Sequence, residues 1–343
     1  MRTLYAAMRD RLRCYAGDES EPGGMSHATT RLEGHTIECL AASRAAPKGV
    51  FVGTFEDGLY RTRGRATEPS EREFERLETD FVSEAVTALA VSPRDPNVVY
   101  AGTEPSRVYR STDGGDTWTH LEGLTDLPSA DEWAFPPRPH THHVRWLEVD
   151  PFDPDRLYVG IEAGAFVLSP DGGKTWRERP EGSRRDNHTL ATHGDREGRV
   201  YTAAGDGYAV SDDGGDSWRR PQDGLGHTYC WGLAVDPADP DAVIVSSASG
   251  ARTAHTAERA DSYVYRRLDD EPWERLEGRG LPTGEGVVRA VFETTDADGV
   301  VYALNNRGLF HSEDFGDSWA AIDTDWEDGL EVQAPRGLVA LPN

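Results

Sequence analysis

Lysine is nearly absent from this chain: Lys48 and Lys174 are the only two in 343 residues, and arginine supplies the rest of the 36 basic positions. Against them stand 61 acidic residues, for a formal net charge of -25. That balance excludes a nucleic-acid binder, because phosphate backbones demand a basic stripe, and it excludes docking on an anionic membrane surface. Cysteine is scarce too. Cys14, Cys39 and Cys230 are odd in number and far apart, so neither a disulfide framework nor a metal or redox spacing can be drawn from them. Buried free thiols in a reducing compartment are expected. No apolar run is long enough to span a bilayer, and no charged-then-apolar leader with a cleavage site opens the sequence, so cytoplasmic residence is expected. A sustained helical period is missing as well. The stretch from Glu71 to Leu77 has room for a turn or two of helix but reads better as strand.

What the chain has is repetition. Ser111-Thr112-Asp113-Gly114-Gly115-Asp116-Thr117-Trp118 returns as Ser169-Pro170-Asp171-Gly172-Gly173-Lys174-Thr175-Trp176. It returns again as Ser211-Asp212-Asp213-Gly214-Gly215-Asp216-Ser217-Trp218 and as Ser312-Glu313-Asp314-Phe315-Gly316-Asp317-Ser318-Trp319. Repetition of this kind sets the architecture before any single residue is read. Asp-Gly-Gly between strand-like runs is hairpin-turn chemistry, since Gly takes positive φ freely and Asp bonds its own backbone. Each copy is expected to join the two outer strands of a small antiparallel sheet, with its Trp folded back over the turn. Asp113, Asp171, Asp213 and Asp314 are then turn residues rather than metal ligands or catalytic acids.

The full repeat is larger: four short strands, a to d, with turn residues between them. Val86–Val91, Val98–Thr103, Val108–Arg110 and Thr119–Gly123 make one such unit, with tight turns such as Asp150-Pro151-Phe152-Asp153-Pro154-Asp155 between strands a and b of the next. Units are expected at about 36–78, 86–123, 143–182, 187–224, 229–278 and 286–323, the first with a charged insertion, Thr62 to Arg72, in place of the box. A seventh combines 331–341 with 3–34, the C-terminal run supplying the strand a that the N-terminal three lack. Pairing the two ends removes an open sheet edge. The expected fold is all-β: one domain over 1–343, a seven-bladed β-propeller of four-stranded antiparallel blades, and a monomer.

The box resembles the Asp-box, or BNR repeat, carried on β-propellers by sialidases, sortilin-type receptor domains and photosystem II stability/assembly-factor-like proteins. The whole chain looks closest to the assembly-factor-like group and to haloarchaeal-type "BNR repeat glycosyl hydrolase-like" proteins. Its acid-rich, lysine-poor surface is similar to that of halophiles, where high salt screens the mutual repulsion. The resemblance implies boxes on the face away from any active site. It does not imply a sialidase: the early Arg-Ile-Pro motif is absent, no Tyr–Glu pair can be assigned, and sialidases have six blades.

Chemistry is expected on the face that gathers the d-to-a and b-to-c connections, because loops held by a rigid scaffold concentrate binding residues. The connection from Leu124 to His143 carries Trp133, Phe135 and His140-Thr141-His142-His143; the next carries Arg184, Arg185, Asp186, Asn187 and His188; the next His227 and Tyr229 before Trp231. A long b-to-c insertion, Ser246 to Ser262, holds Arg252 and His255. Aligned strand a runs put Glu38, Thr87, Arg145, Thr189, Trp231, Arg289 and Arg336 at one equivalent position. Arg145, Arg289 and Arg336, with Glu38, Trp231, Trp133 and Tyr229, form a candidate binding set for an anionic or sugar-like ligand or an acidic peptide, guanidinium being suited to carboxylate or phosphate. The alternative is that the arginines pair with Glu38, Glu104 and Glu162 and fill the channel mouth. Glu104, Glu162 and His188 are the candidate catalytic groups. His140 and His142, read as alternating on one strand face, could hold a divalent metal with His143, His188 or His227; no other cofactor is implied. Two functions follow: a scaffold binding a ligand or protein partner, or a carbohydrate-active hydrolase or lyase.

Overall fold

The computed structural model describes residues 2–17, 25, 27–44, 49–62 and 73–342; most of the insertion 62–72 lies outside them. The fold is an all-β, seven-bladed β-propeller: the described strands form seven antiparallel sheets, six pairing consecutive strands and the seventh setting the last strand of the chain beside the first three. Their residues group into two units, one from Met1–Gly34 and Pro221–Asn343, the other from His35–Arg65 and Arg72–Arg220.

In the first unit, the strand Gly337–Pro342 pairs antiparallel with Arg2–Ala7, which continues to Leu12–Gly17 and His27–Arg31. Tyr5 stands opposite Val339 and Ala6 opposite Leu338, the pairing of the two chain ends that the repeat requires. Leu4, Met8 and Tyr15 bury themselves there with Tyr302, Leu304 and Leu330. The sheet beginning at Tyr229–Asp236 gains an extra rung at Gly284–Glu285. Its expected insertion contains a single-turn helix, Ala251–His255.

In the second unit four blades follow one another, opening on Ile37–Ala42, Val86–Val91, Val144–Val149 and Asn187–Thr192. Phe74–Arg76 is strand, as read. The fourth blade of this unit has three strands, its last reduced to one bridge between Val210 and Arg219. Just before it, the Trp218 backbone N–H donates to the Glu181 carbonyl of the preceding blade. Second strands carry the core. Tyr100, Tyr158 and Tyr201 are each fully buried at matching positions, and an aromatic ring of this size removes about 150–250 Å² from water.

The repeated turns are built as expected. Ser111 Oγ lies 2.8 Å from Asp113 Oδ1 and accepts from the Gly115 N–H, while Thr117 Oγ1 donates to Asp113 Oδ2 at 2.6 Å. Trp118 and Trp218 fold back to donate to the carbonyls of Gly115 and Gly215. Trp176 instead reaches the Glu122 carbonyl of the preceding blade, at 2.8 Å. Arginines lock neighbouring blades through these turns. Arg61 donates to the Gly114 carbonyl and to Asp116, and Arg266 to the Phe315 carbonyl and Asp317.

Candidate functional site

The second unit places the first strands of its blades side by side, and glycine makes the approach possible. A Cβ on Gly53 would sit 2.6 Å from the Val86 carbonyl oxygen, and one on Gly102 would sit 2.5 Å from Val144 Cγ1. Each first strand also carries a β-bulge near its start. The register skips between Ile37 and Cys39, Val86 and Ala88, Val144 and Trp146, and Asn187 and Thr189. A bulge re-aims the residue it contains. The bulged residues are Glu38, Thr87, Arg145 and His188. The sequence alignment is therefore corrected by one position in the last blade: His188, not Thr189, is the equivalent of Arg145, because a bulge shifts register without marking the sequence.

Second strands end, and first strands begin, at the same edge of these sheets. Glu104 follows Val99–Thr103 and Glu162 follows Leu157–Ile161; His143 precedes Val144–Val149 and Asp186 precedes Asn187–Thr192. These groups converge. His143 Nε2 is 2.9 Å from Glu162 Oε2, and its Nδ1 is 3.4 Å from Glu104 Oε2. Arg138 forks Glu104 with donors at 2.7 and 2.5 Å. Arg145 Nε stands 3.9 Å from Glu162, and His188 Nε2 stands 4.0 Å from Glu162 and 3.6 Å from Asp186. The Ala163 N–H donates to Asp186 Oδ1 at 2.7 Å.

The two carboxyls beside His188 sit in opposed environments. Burial raises the Glu162 carboxyl, but the His143 hydrogen bond and the charges of His143, His188 and Arg145 outweigh it and hold Glu162 well below the usual range. Burial also raises Asp186, and there it prevails: His188 lowers it, the nearby Glu162 charge adds to the rise, and the net direction is up. Glu104, Glu162, His143 and His188 are buried, whereas the Asp186 side chain keeps 28% of its surface in solvent.

Placement sorts the sequence candidates. Glu104, Glu162, His143, Arg145 and His188 come together; Arg138 and Asp186, which the candidate sets did not include, complete the group. In the sequence Asp186 is one polar residue among several in its loop, and nothing marks Arg138 beyond its place in the long connection. His140 and His142 are not on a strand: Phe135–Thr141 folds as turns, with His140 exposed and His142 set edge-on against Trp133. The proline-rich run cannot supply the N–H groups a strand needs. Trp133 is core, packed with Leu124 and Val144 and donating to Ser129 Oγ, so it offers no face to a ligand. Among the described residues, the histidine with metal-like neighbours is His188, whose donor atom and those of Glu162 and Asp186 lie within 4.8 Å of one another.

In the first unit, His227 is stacked on Tyr263 and bonded to the Tyr265 hydroxyl. Arg289 is buried against Trp231, 4.1 Å from the ring centre, and donates from Nε to His255 Nδ1. His255 in turn meets the Tyr229 hydroxyl at 3.2 Å. Arg336 leads into the closing strand, its N–H donating to the Ala7 carbonyl.

No family model matches the chain. It is similar to the xyloglucanase Xgh74A of Acetivibrio thermocellus, 28% identical over 213 residues that make up 53% of this chain and 24% of that protein. The chain thus spans about a quarter of the length of this relative. In fold it is similar to the GH74 xyloglucanase of Xanthomonas campestris, with a TM-score of 0.65 and 17% identity over 93% of this chain and 55% of the other. It is also similar in fold to YCF48 bound to D1 peptide, with a TM-score of 0.57 and 16% identity over 84% of this chain and 81% of the other.

Proposed function

We propose that this chain is a carbohydrate-active hydrolase with Glu162 and Asp186 as its reacting pair. One observation carries the reading: two carboxyl groups gather beside His188, with oxygens within 4.8 Å of each other, in environments that push one toward the ionised and the other toward the acid form. Opposed carboxyls of this kind divide the work of glycoside hydrolysis. The similarity to xyloglucanases supports the substrate class. Asp186 donates its proton to the glycosidic oxygen as the C1–O bond breaks, and the Glu162 carboxylate bonds to C1. Asp186 then takes a proton from water, whose oxygen displaces Glu162. One water is consumed. The spacing is shorter than the roughly 6.5–9.5 Å of an inverting pair, so retention of configuration is expected. Reducing-end release from xyloglucan and other β-glucans in concentrated salt, with product anomers followed by NMR, tests it. Inversion, or no hydrolysis of any of them, overturns it.

A second reading is a scaffold that binds a protein partner or an anionic, sugar-like ligand. It is favoured by the Arg138–Glu104 and His143–Glu162 pairs, which satisfy the cluster's charges internally as a structural polar network does. Calorimetric binding of an oligosaccharide or acidic peptide without turnover supports it over the first.

A further inference from the structure

His143 lies at the centre of the cluster, and everything around it fixes its ring. Its two nitrogens face carboxylates on either side, Glu162 at 2.9 Å and Glu104 at 3.4 Å. Phe135 packs at right angles to the imidazole, with ring centres 4.6 Å apart. Glu104 is itself immobilised by the two-pronged Arg138 contact, and the Arg138 guanidinium lies 4.7 Å from the centres of both the Phe55 and Phe135 rings. A forked guanidinium–carboxylate pair has one geometry. The chain Arg138–Glu104–His143–Glu162 thus runs from the long connection down to the proposed nucleophile. The other charged and titratable groups facing it are Arg145 and His188, beside Glu162, Asp186, which faces both His188 and Glu162, and His142, next in sequence.

We infer that His143 is a positioning residue for the hydrolysis proposed above: its Nε2–H holds the Glu162 carboxylate in one orientation, and the Arg138–Glu104 pair holds the ring. The inference rests on Glu162 being the nucleophile. An ionised carboxylate only accepts hydrogen bonds, so at 2.9 Å the proton belongs to Nε2. The ring is buried, only 4% exposed, and acts on substrate only through Glu162. A histidine that orients a reacting group by one nitrogen while the other faces a carboxylate is a familiar division of labour.

The test compares H143Q, whose amide N–H reaches toward the place of Nε2, with H143F, which keeps the ring's volume and loses the donor. Two readouts are needed: kcat and KM on whichever glycan the wild type cleaves, and a ¹³C NMR titration of the Glu162 carboxyl, its resonance identified by its loss in E162Q. H143F is expected to lower kcat by about 10–100-fold, as removing a group that orients another does, with KM nearly unchanged. The acid limb of its pH profile and the Glu162 titration both move to higher pH. H143Q is expected to recover most of the lost kcat. An unmoved Glu162 titration in folded H143F, or equal losses in both variants, overturns the inference. If H143F does not fold, H143N, whose amide falls on the Nδ1 side, is expected to show the same upward titration. The titration needs no substrate. If it moves but the wild type cleaves no glycan, the hold of His143 on Glu162 stands and the hydrolase reading falls.

Discussion

Asp113 and Glu162 are both carboxylates held below their usual range, yet they are held in different ways. Asp113 is kept at about 2 by bonds from Thr117, its own backbone neighbours and Ser111. Every partner lies within four residues, and the group is solvent-exposed. Glu162 is buried, and its partners come from other segments: His143, Arg145 and His188. The Asp113 carboxylate is closed chemically, with each oxygen engaged by a donor from its own turn. The cluster exists only because neighbouring blades approach closely enough to share it. The turns hold strands, and the function proposed above places reaction or binding in the cluster.

The largest effect expected from this contrast is on activity. Glu162→Gln and Asp186→Asn should each lower hydrolysis by about 10²–10⁴-fold with native circular dichroism, whereas Asp113→Ala should leave kcat unchanged. Equal losses in all three would erase the distinction. Next comes the approach itself. Gly102→Ala drives a methyl group to within 2.5 Å of Val144 Cγ1 and should cost about 1–3 kcal/mol in urea unfolding, the usual penalty of overpacking, with loss of the proposed hydrolysis as the blades part. Asp213→Ala removes the bonds to Ser211 and Ser217 and should cost about 1 kcal/mol, less than a buried charged hydrogen bond because the site is open to solvent.

Acid separates the regions further. Asp113, at about 2 when folded and about 3.9 when unfolded, contributes stability that is full above about pH 4 and lost as pH falls through 2. Asp171, Asp213, Asp314 and Glu162 share that sign. Asp186 has the opposite sign. Its folded form favours the proton, so it contributes stability below its unfolded value and loses that contribution as pH rises. Asp186→Asn should therefore melt higher than wild type at pH 7, with the gap closing toward pH 3, as thermal scans in concentrated salt would show. The smallest effect expected is at Lys174, which occupies the box position that Asp116, Asp216 and Asp317 hold elsewhere. Lys174→Asp should offer Arg110, the counterpart of Arg61 and Arg266, the carboxylate those two already bond, gaining about 0.5 kcal/mol as a surface pair does. A rise in melting temperature without a change in activity would show it.

The strand pattern, the turns and the pairing of Leu338 and Val339 with the first strand were legible because each depends on residues close together in sequence or on a repeat that exposes a missing member. The cluster was half legible. Glu104, Glu162, Arg145, His143 and His188 stand out as polar groups at strand ends. Arg138 looks like one more surface arginine until the loop's turns bring it onto Glu104. Trp133 looks like a binding aromatic until Ser129 and the Leu124 side chain enclose it. The histidine run looks like a strand until its prolines deny it hydrogen-bond donors.

By itself the sequence determined how many sheets there are, where each turns, and that its ends must meet, since short-range hydrogen bonding in the turns and the repeat of four short strands leave few other solutions. Tertiary structure alone decided which carboxylates face which histidines, and with what charge. Four bulges that leave no trace in composition turn Glu38, Thr87, Arg145 and His188 out of register, and burial then acts on groups whose neighbours come from separate blades.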